Sequence, residues 1–310
     1  MKALVVIFER LVPISGGGTP RTFHIIRSLA KRGHEVYVAA SFGVDRDQAL
    51  RELGAAGVSP LASVSRMDPR KMRKYAVIYP LNILRTALYA WRLNPDLILS
   101  HNSVAGVAGL LAKLLRPRLA TVLDLTDLLF EYLEDYRGTW LKWAAAVGRW
   151  LERLSVRRSD RLITISRAMA DILTSEYQVR PRQVDIVHDG VDTQVFRRQP
   201  ADDLRTAYAP DAEHVLIFHG VIDPQDEPEL LIEAAPAILA RHPKTCFWMV
   251  GDGTAVPGLK TKAGEAGLLD RFYFSGWVRQ AEVARYISAS DLGLVILPDV
   301  LSARGRVTLK

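Results

Sequence analysis

Three adjacent glycines, Gly16, Gly17 and Gly18, stand directly ahead of a run that reads as a helix N-terminus. Free backbone N–H groups and the positive end of a helix dipole favour an anion there, and the missing side chains let a phosphate or sugar reach the main chain. Arg21, in the first turn, can add a charge-assisted contact. The same residues also make a tight strand-to-helix turn with an exposed arginine, and they do not follow the G-x-G-x-x-G dinucleotide spacing. A second glycine pair, Gly251-Asp252-Gly253, follows an apolar run, and His188-Asp189-Gly190-Val191-Asp192 stands just ahead of a polar segment at 196–203. The single cysteine, Cys246, lies in the apolar run 245–250 and reads as a buried strand residue. One cysteine excludes a disulfide within the chain, which suits a reducing, cytoplasmic setting. No group of residues has metal-ligand spacing, so no metal is expected.

The elements that must position these groups alternate along the chain. Strand signals at 4–8, 35–39, 96–100, 120–124, 161–165 and 184–188 are interleaved with helical periods. The first helix is the best marked: Thr19 as cap, Pro20 in the first turn, Phe23, Ile26, Leu29 and Ala30 on one face, and Gly33 as terminator. Further helices are expected at 104–115 and 168–177. A second cycle places strands at 214–218, 246–250, 272–274 and 292–297, with helices at 228–240, 258–266 and 281–289. Alternation of this kind is the α/β pattern of parallel sheets covered by helices. The expected organisation is two Rossmann-like domains, 1–198 and 199–310, which 310 residues with 49% hydrophobic and 24% charged side chains can supply. The second cycle has four strands and no closing helix, so the second domain reads as incomplete. No apolar stretch approaches the roughly 20 residues that span a bilayer; the run 97–112 is broken by His101, Asn102 and Ser103.

Taken in order, several segments resemble family-4 glycosyltransferases, which retain anomeric configuration and have the two-domain GT-B fold. GGGTPR followed by RSLAKRGHEVYV is similar to that family's glycine loop and first helix, and PDLILSHNS to the strand ending at its acceptor side. VDIVHDGVDTQVF resembles its interdomain signature. FHGVIDPQDEPELLIEAAPAI, FWMVGDG, DRFYFSGWV and ASDLGLVILP resemble its nucleotide-sugar domain in order and spacing. The resemblance implies transfer of a sugar from a nucleoside diphosphate donor, linked to uridine or guanosine, with no cofactor. It assigns donor and acceptor contacts to Gly16, Gly17, Gly18, Arg21, His101, Gly190, Gly220, Gly251, Gly253, Gly276 and Lys310. His101 can instead cap the following helix or satisfy a local carbonyl.

Three departures bear on chemistry. Where the family carries an Arg and a Lys to neutralise the leaving diphosphate, this chain has Val221 and Asp226. Where many members have a histidine it has Leu123, leaving Asp124, Asp127 and His101 as the catalytic candidates. The family's Glu-x7-Glu motif is not intact: no glutamate stands in 302–310, and Lys310 falls where a motif-adjacent basic residue lies. A non-catalytic nucleotide- or glycan-binding relative is therefore the alternative to an active enzyme.

Lys and Arg number 41 against 34 Asp and Glu, a net charge of +7 that favours anionic partners. The basic segment 66–74 precedes an aliphatic and aromatic stretch ending at Trp91. Trp140, Trp143 and Trp150 share a helix that closes on Arg153, Arg157, Arg158 and Arg161. Cationic charge beside such aromatics suits peripheral contact with an anionic membrane, and with it a lipid-linked or surface-glycan acceptor. The expected location is the cytoplasm, at the inner membrane face if those segments bind lipid. Nucleic acid is not an expected partner, for lack of zinc-ligand spacing or an RNA-recognition aromatic signature.

Overall fold

The computed structural model describes residues 1–12, 19–42, 51, 53–54, 57–62, 75–128 and 139–297. These divide between Asp189 and Gly190 into two compact units, and the polar segment 196–203 lies in the second.

The first unit is built on a seven-stranded parallel sheet. Strand β1 (Lys2–Val12) lies between β2 (Glu35–Phe42) and β4 (Leu97–His101). The sheet continues through β3 (Val58–Ala62) beyond β2, and through β5 (Ala120–Leu125), β6 (Arg161–Thr164) and β7 (Val184–Ile186) beyond β4. A parallel strand covered on both faces needs an unbroken apolar run, and Ala3, Leu4, Val5, Val6 and Ile7 are all buried. Helix α1 (Thr19–Lys31) lays Phe23 and Ile26 over Val5, Ile7 and Val38 on one face. Helices α2 (Tyr75–Leu93) and α3 (Asn102–Leu115) cover Leu4, Val6 and Ile98 on the other, through Ala90, Ala105, Ala108 and Ala112. Helix α4 (Thr139–Arg158) closes on α3 at Gly106, where a Cβ would lie 3.0 Å from Leu123 Cδ1 and from Ser155 Cβ. Helix α5 (Arg167–Ser175) is capped by Ser166, whose hydroxyl accepts from the Met169 amide at 3.0 Å.

The second unit carries a four-stranded parallel sheet in the order β10-β9-β8-β11. Its strands are β8 (His214–Val221), β9 (Thr245–Asp252), β10 (Phe272–Gly276) and β11 (Leu292–Gly293). Helices α6 (Asp202–Tyr208), α7 (Glu229–Arg241), α8 (Val256–Glu265) and α9 (Gln280–Ala289) surround it. One core layer joins Phe218, Phe247 and Met249 to Leu231, Ile232 and Leu259. The opposite layer joins Ile217 and Trp248 to Tyr286 and Ala289. Cys246 is buried in β9, as its apolar surroundings indicated, and burial pushes its thiol above the ordinary value.

The expected elements recur with ends moved by a few residues, with four exceptions. Strand β3 and helices α2 and α6 have no counterpart in the pattern read from the sequence. Helix α2 contains Pro80 and exposes leucines, which hides its period. The strand expected at 292–297 pairs only over Leu292 and Gly293. A last bond, Leu294 N–H to the Ile217 carbonyl at 2.8 Å, ends the ladder, although Leu294 and Ile296 still pack on the core. Thr19, expected as the cap of α1, is the first described residue of that helix.

Candidate functional site

In an open parallel sheet, ligands collect beyond the carboxyl ends of the strands, at the point where the chain reverses its direction of travel across the sheet. Here that point lies between β1 and β4, because the chain runs from β1 outward through β2 and β3 before crossing to β4. Several polar side chains gather at this edge. His101 ends β4, Asp124 lies near the end of β5, and Arg21 projects from the first turn of α1.

Arg21 clamps Asp124 with a fork: Nε donates to Oδ1 and Oδ2 at 3.1 and 3.0 Å, and Nη2 to Oδ1 at 2.9 Å. Its Nη1 donates to the Val187 carbonyl and to Asp189 Oδ1, both at 2.8 Å. One guanidinium thus ties α1, β5 and the segment after β7 together. His101 Nδ1 lies 3.4 Å from Asp124 Oδ2, while its buried Nε2 has no hydrogen-bond partner among the described residues. Asn102, at φ +65°, turns from strand to helix and donates to Glu9 Oε1 at 3.1 Å.

The cluster is almost dry: the Arg21 side chain is 5% exposed and that of Asp124 0%. Burial opposes the charged form of every member. For Asp124 it is outweighed by hydrogen bonds to His101 and Arg21, which hold the carboxyl below its ordinary range. Burial also opposes charge on His101, yet the bond to Asp124 and the fields of Glu9, Asp124 and Asp127 raise its value. For Arg21, burial is again overcome by Asp124 and then Asp189, and its value rises.

Strand alternation explains why Leu123 is no substitute for a histidine in this site. Leu123 is buried among Leu125, Leu162 and Met169 and touches the α3–α4 contact at Gly106, whereas Asp124 meets Arg21 of α1. Asp127 follows β5, is half-buried, and its Oδ2 accepts from Thr126 at 3.4 Å.

The glycines divide by physical cause. Gly16, Gly17 and Gly18 lie outside the described residues, as does Lys310. Gly220 and Gly251 are register partners at the ends of β8 and β9, with φ of +117° and +139°. A Cβ at Gly251 would stand 1.9 Å from the Gly220 carbonyl oxygen, and one at Gly253 would stand 2.2 Å from that of Ile222. Close approach of the two strand ends therefore requires glycine at both positions. Gly276 has φ +69° with open space around it, and Gly190 is exposed. Val221 is exposed at the end of β8, and Asp226 is buried in the turn that follows.

Three contributors escaped the sequence reading. Glu9 lies beyond the strand signal at 4–8, Asn102 looks like a helix residue, and Asp223 is one of several acids in a turn. Asp223 Oδ1 accepts from the Thr254 amide and hydroxyl, both at 2.7 Å, and so ties the turn after β8 to the residues leading into α8. Among the described residues no group of three or more His, Cys, Asp or Glu is placed to hold a metal.

Residues 15–195 match the family model described as Glycosyltransferase Family 4, and residues 213–302 that described as Glycosyl transferases group 1. The chain belongs to glycosyltransferase family 4. It is similar to the D-inositol 3-phosphate glycosyltransferase of Mycobacterium marinum, 32% identical over 162 residues, which cover 51% of this chain and 34% of that one. The 2-deoxystreptamine glucosyltransferase of Streptomyces kanamyceticus is 27% identical over 154 residues, 48% of this chain and 39% of the relative. The matches thus span only about a third of these curated relatives' length. Among solved structures, sucrose-phosphate synthase from Thermosynechococcus elongatus superposes with a TM-score of 0.73 at 18% identity, over 95% of this chain and 75% of that one. Anabaena HepE in complex with UDP and glucose gives 0.67 at 20% identity, over 94% and 73%. These likenesses establish the fold, two Rossmann-like α/β units as in GT-B glycosyltransferases.

Proposed function

We propose that this chain transfers a sugar from a nucleoside diphosphate sugar, with retention, to a lipid-linked or surface glycan at the cytoplasmic face of a membrane. Family membership supports the reaction class, and complexes of Anabaena HepE with UDP and with UDP-glucose favour uridine over guanosine as the base. The single observation that carries the proposal is the buried Arg21–Asp124–His101 cluster at the carboxyl edge of the first sheet. In this reading Asp124 is a positioning residue, because both its oxygens are already engaged by Arg21 and His101. His101, whose value Asp124 and the neighbouring acids raise against the effect of burial, has Nε2 uncommitted among the described residues and donates from it to a sugar or phosphate oxygen, stabilising charge that develops there. The glycine loop at 16–18 supplies backbone N–H groups to an anion, and Gly190, Gly220, Gly251, Gly253, Gly276 and Lys310 are further donor-side contacts. Asp127 is the remaining acid–base candidate.

Equilibrium dialysis with UDP, GDP and their sugars tests the binding step, and release of nucleotide in the presence of acceptor tests turnover. Saturable binding that His101→Gln and Gly17→Val weaken is expected; no binding at millimolar ligand would refute the proposal. A second reading, binding without turnover, is favoured by one observation. Val221, which is exposed, and Asp226, which is buried, are the residues that the resemblance sets at the positions of the family's diphosphate-neutralising cations.

A further inference from the structure

Helix α2 carries apolar side chains on its outer face as well as on the face that meets the core. Leu81, Leu84, Leu88 and Trp91 recur at intervals of three and four residues, which makes one stripe along the helix, and each is 46–54% exposed. The inner side carries Asn82, Thr86, Ala87 and Ala90, with Tyr79, Ile83 and Leu93 packed on the core. The stripe extends onto the end of α3. There the Arg116 guanidinium donates to the Trp91 carbonyl and the Asn94 side chain, and Leu114 and Leu115 are both exposed. A contiguous apolar face of this kind marks a contact surface.

Charge decides what the surface meets. Arg85 and Arg92 stand on the same exposed side of α2, and neither forms an ion pair among the described residues. Neither α2 nor α3 contains an acidic residue. Two-fold pairing with a second copy would set arginine against arginine with no acid on either helix to answer them. An anionic lipid surface answers both features: phosphate headgroups take the arginines, acyl chains take the leucines, and an indole settles at the boundary.

We infer that the outer face of α2, continued by the end of α3, is a docking surface for an anionic membrane, a contact that rests on the membrane-borne acceptor proposed above. Among the described residues no helix is long and apolar enough to cross a membrane, so the docking is peripheral. Co-sedimentation of the full chain with phosphatidylcholine–phosphatidylglycerol vesicles, against phosphatidylcholine alone, tests it without any sugar donor. Failure here therefore leaves the nucleotide-binding assay standing, and the reverse also holds.

Binding to the anionic vesicles is expected, with about a tenfold or greater loss in Arg85→Ala/Arg92→Ala. A comparable loss is expected in Leu84→Ser/Leu88→Ser, and weakening in raised salt. A fluorescent label provides a second readout in an otherwise unaltered chain, since Cys246 is buried. A polarity-sensitive dye on Leu88→Cys should shift to the blue on adding anionic vesicles, while one on Leu269→Cys, exposed in the second unit, should not. Absence of binding, binding indifferent to both double variants, or a dye at position 88 already shielded in free protein by dimerisation or by the chain itself would overturn the assignment.

Discussion

Replacing Arg21 by methionine keeps most of the side-chain volume and removes the guanidinium. Three hydrogen bonds to Asp124 disappear, together with those to the Val187 carbonyl and to Asp189. Asp124, whose side chain is 0% exposed, is left with His101 Nδ1 at 3.4 Å. Exposed ion pairs contribute about 0–1 kcal/mol, but stranding one partner of a buried pair costs about 3–5 kcal/mol. At roughly 2–4 °C per kcal/mol for a unit of this size, the first thermal transition should fall by about 10 °C. Circular dichroism and calorimetry on Arg21→Met measure it. Arg21→Lys should recover less than half of the loss, because an ammonium cannot bond both Asp124 oxygens, Val187 and Asp189 at once. The double variant Arg21→Met/Asp124→Asn should be more stable than the sum of the single effects predicts, by about 1–3 kcal/mol. A loss under about 1 kcal/mol, or strict additivity, would refute the view that the cluster is a dry ionic staple.

The imidazole of His101 should titrate above the usual value of about 6.5 by NMR. Folding favours the charged form, so its contribution to stability is complete below about pH 6.5 and is lost as pH rises through the folded value. A value below 6.5 would mean that burial wins over the acids around it. Gly251→Ala should cost at least about 3 kcal/mol because of the 1.9 Å approach and the positive φ. Gly33→Ala, at φ +78° with open space, should cost about 1 kcal/mol in the same denaturant melts, and equal costs would dismiss the close approach as the cause. Cys246 should react with a thiol reagent only as fast as the second unit opens, since burial both shields the thiol and raises its value. Reaction at the rate of a free thiol would contradict that burial.

Much of the fold was legible because parallel sheets announce themselves. The apolar run opening β1, the amphipathic α1 and the strand-then-helix cycles of the second unit all rest on local periodicity. Helix α2 was hidden because the leucines on its outer face erase the amphipathic signal, and β11 was overextended because apolar composition does not reveal where an edge ladder stops. The site was legible only residue by residue. Arg21, His101 and Asp124 each stand out in the sequence, but as substrate contacts (Arg21, His101) or catalytic candidates (Asp124, His101). That they bond to one another depends on separations of 103 and 23 residues that no local pattern encodes. Glycines 251 and 253 resembled a ligand loop, yet the approach of two strand ends is sufficient to require them.

The placement of β1 in mid-sheet has a consequence for the chain as it leaves the ribosome. Arg21 must wait for Asp189, 168 residues later, before its charge is fully answered. At synthesis rates of about 5–20 residues per second, that interval is roughly 10–30 s. Early in it, until β4 is made, β1 has β2 for a neighbour on one side and an open edge on the other. Until then the nascent first unit is a half-sheet with an unsatisfied edge. Its completion is timed by the same short segment, Val187 to Asp189, that leads into the second unit.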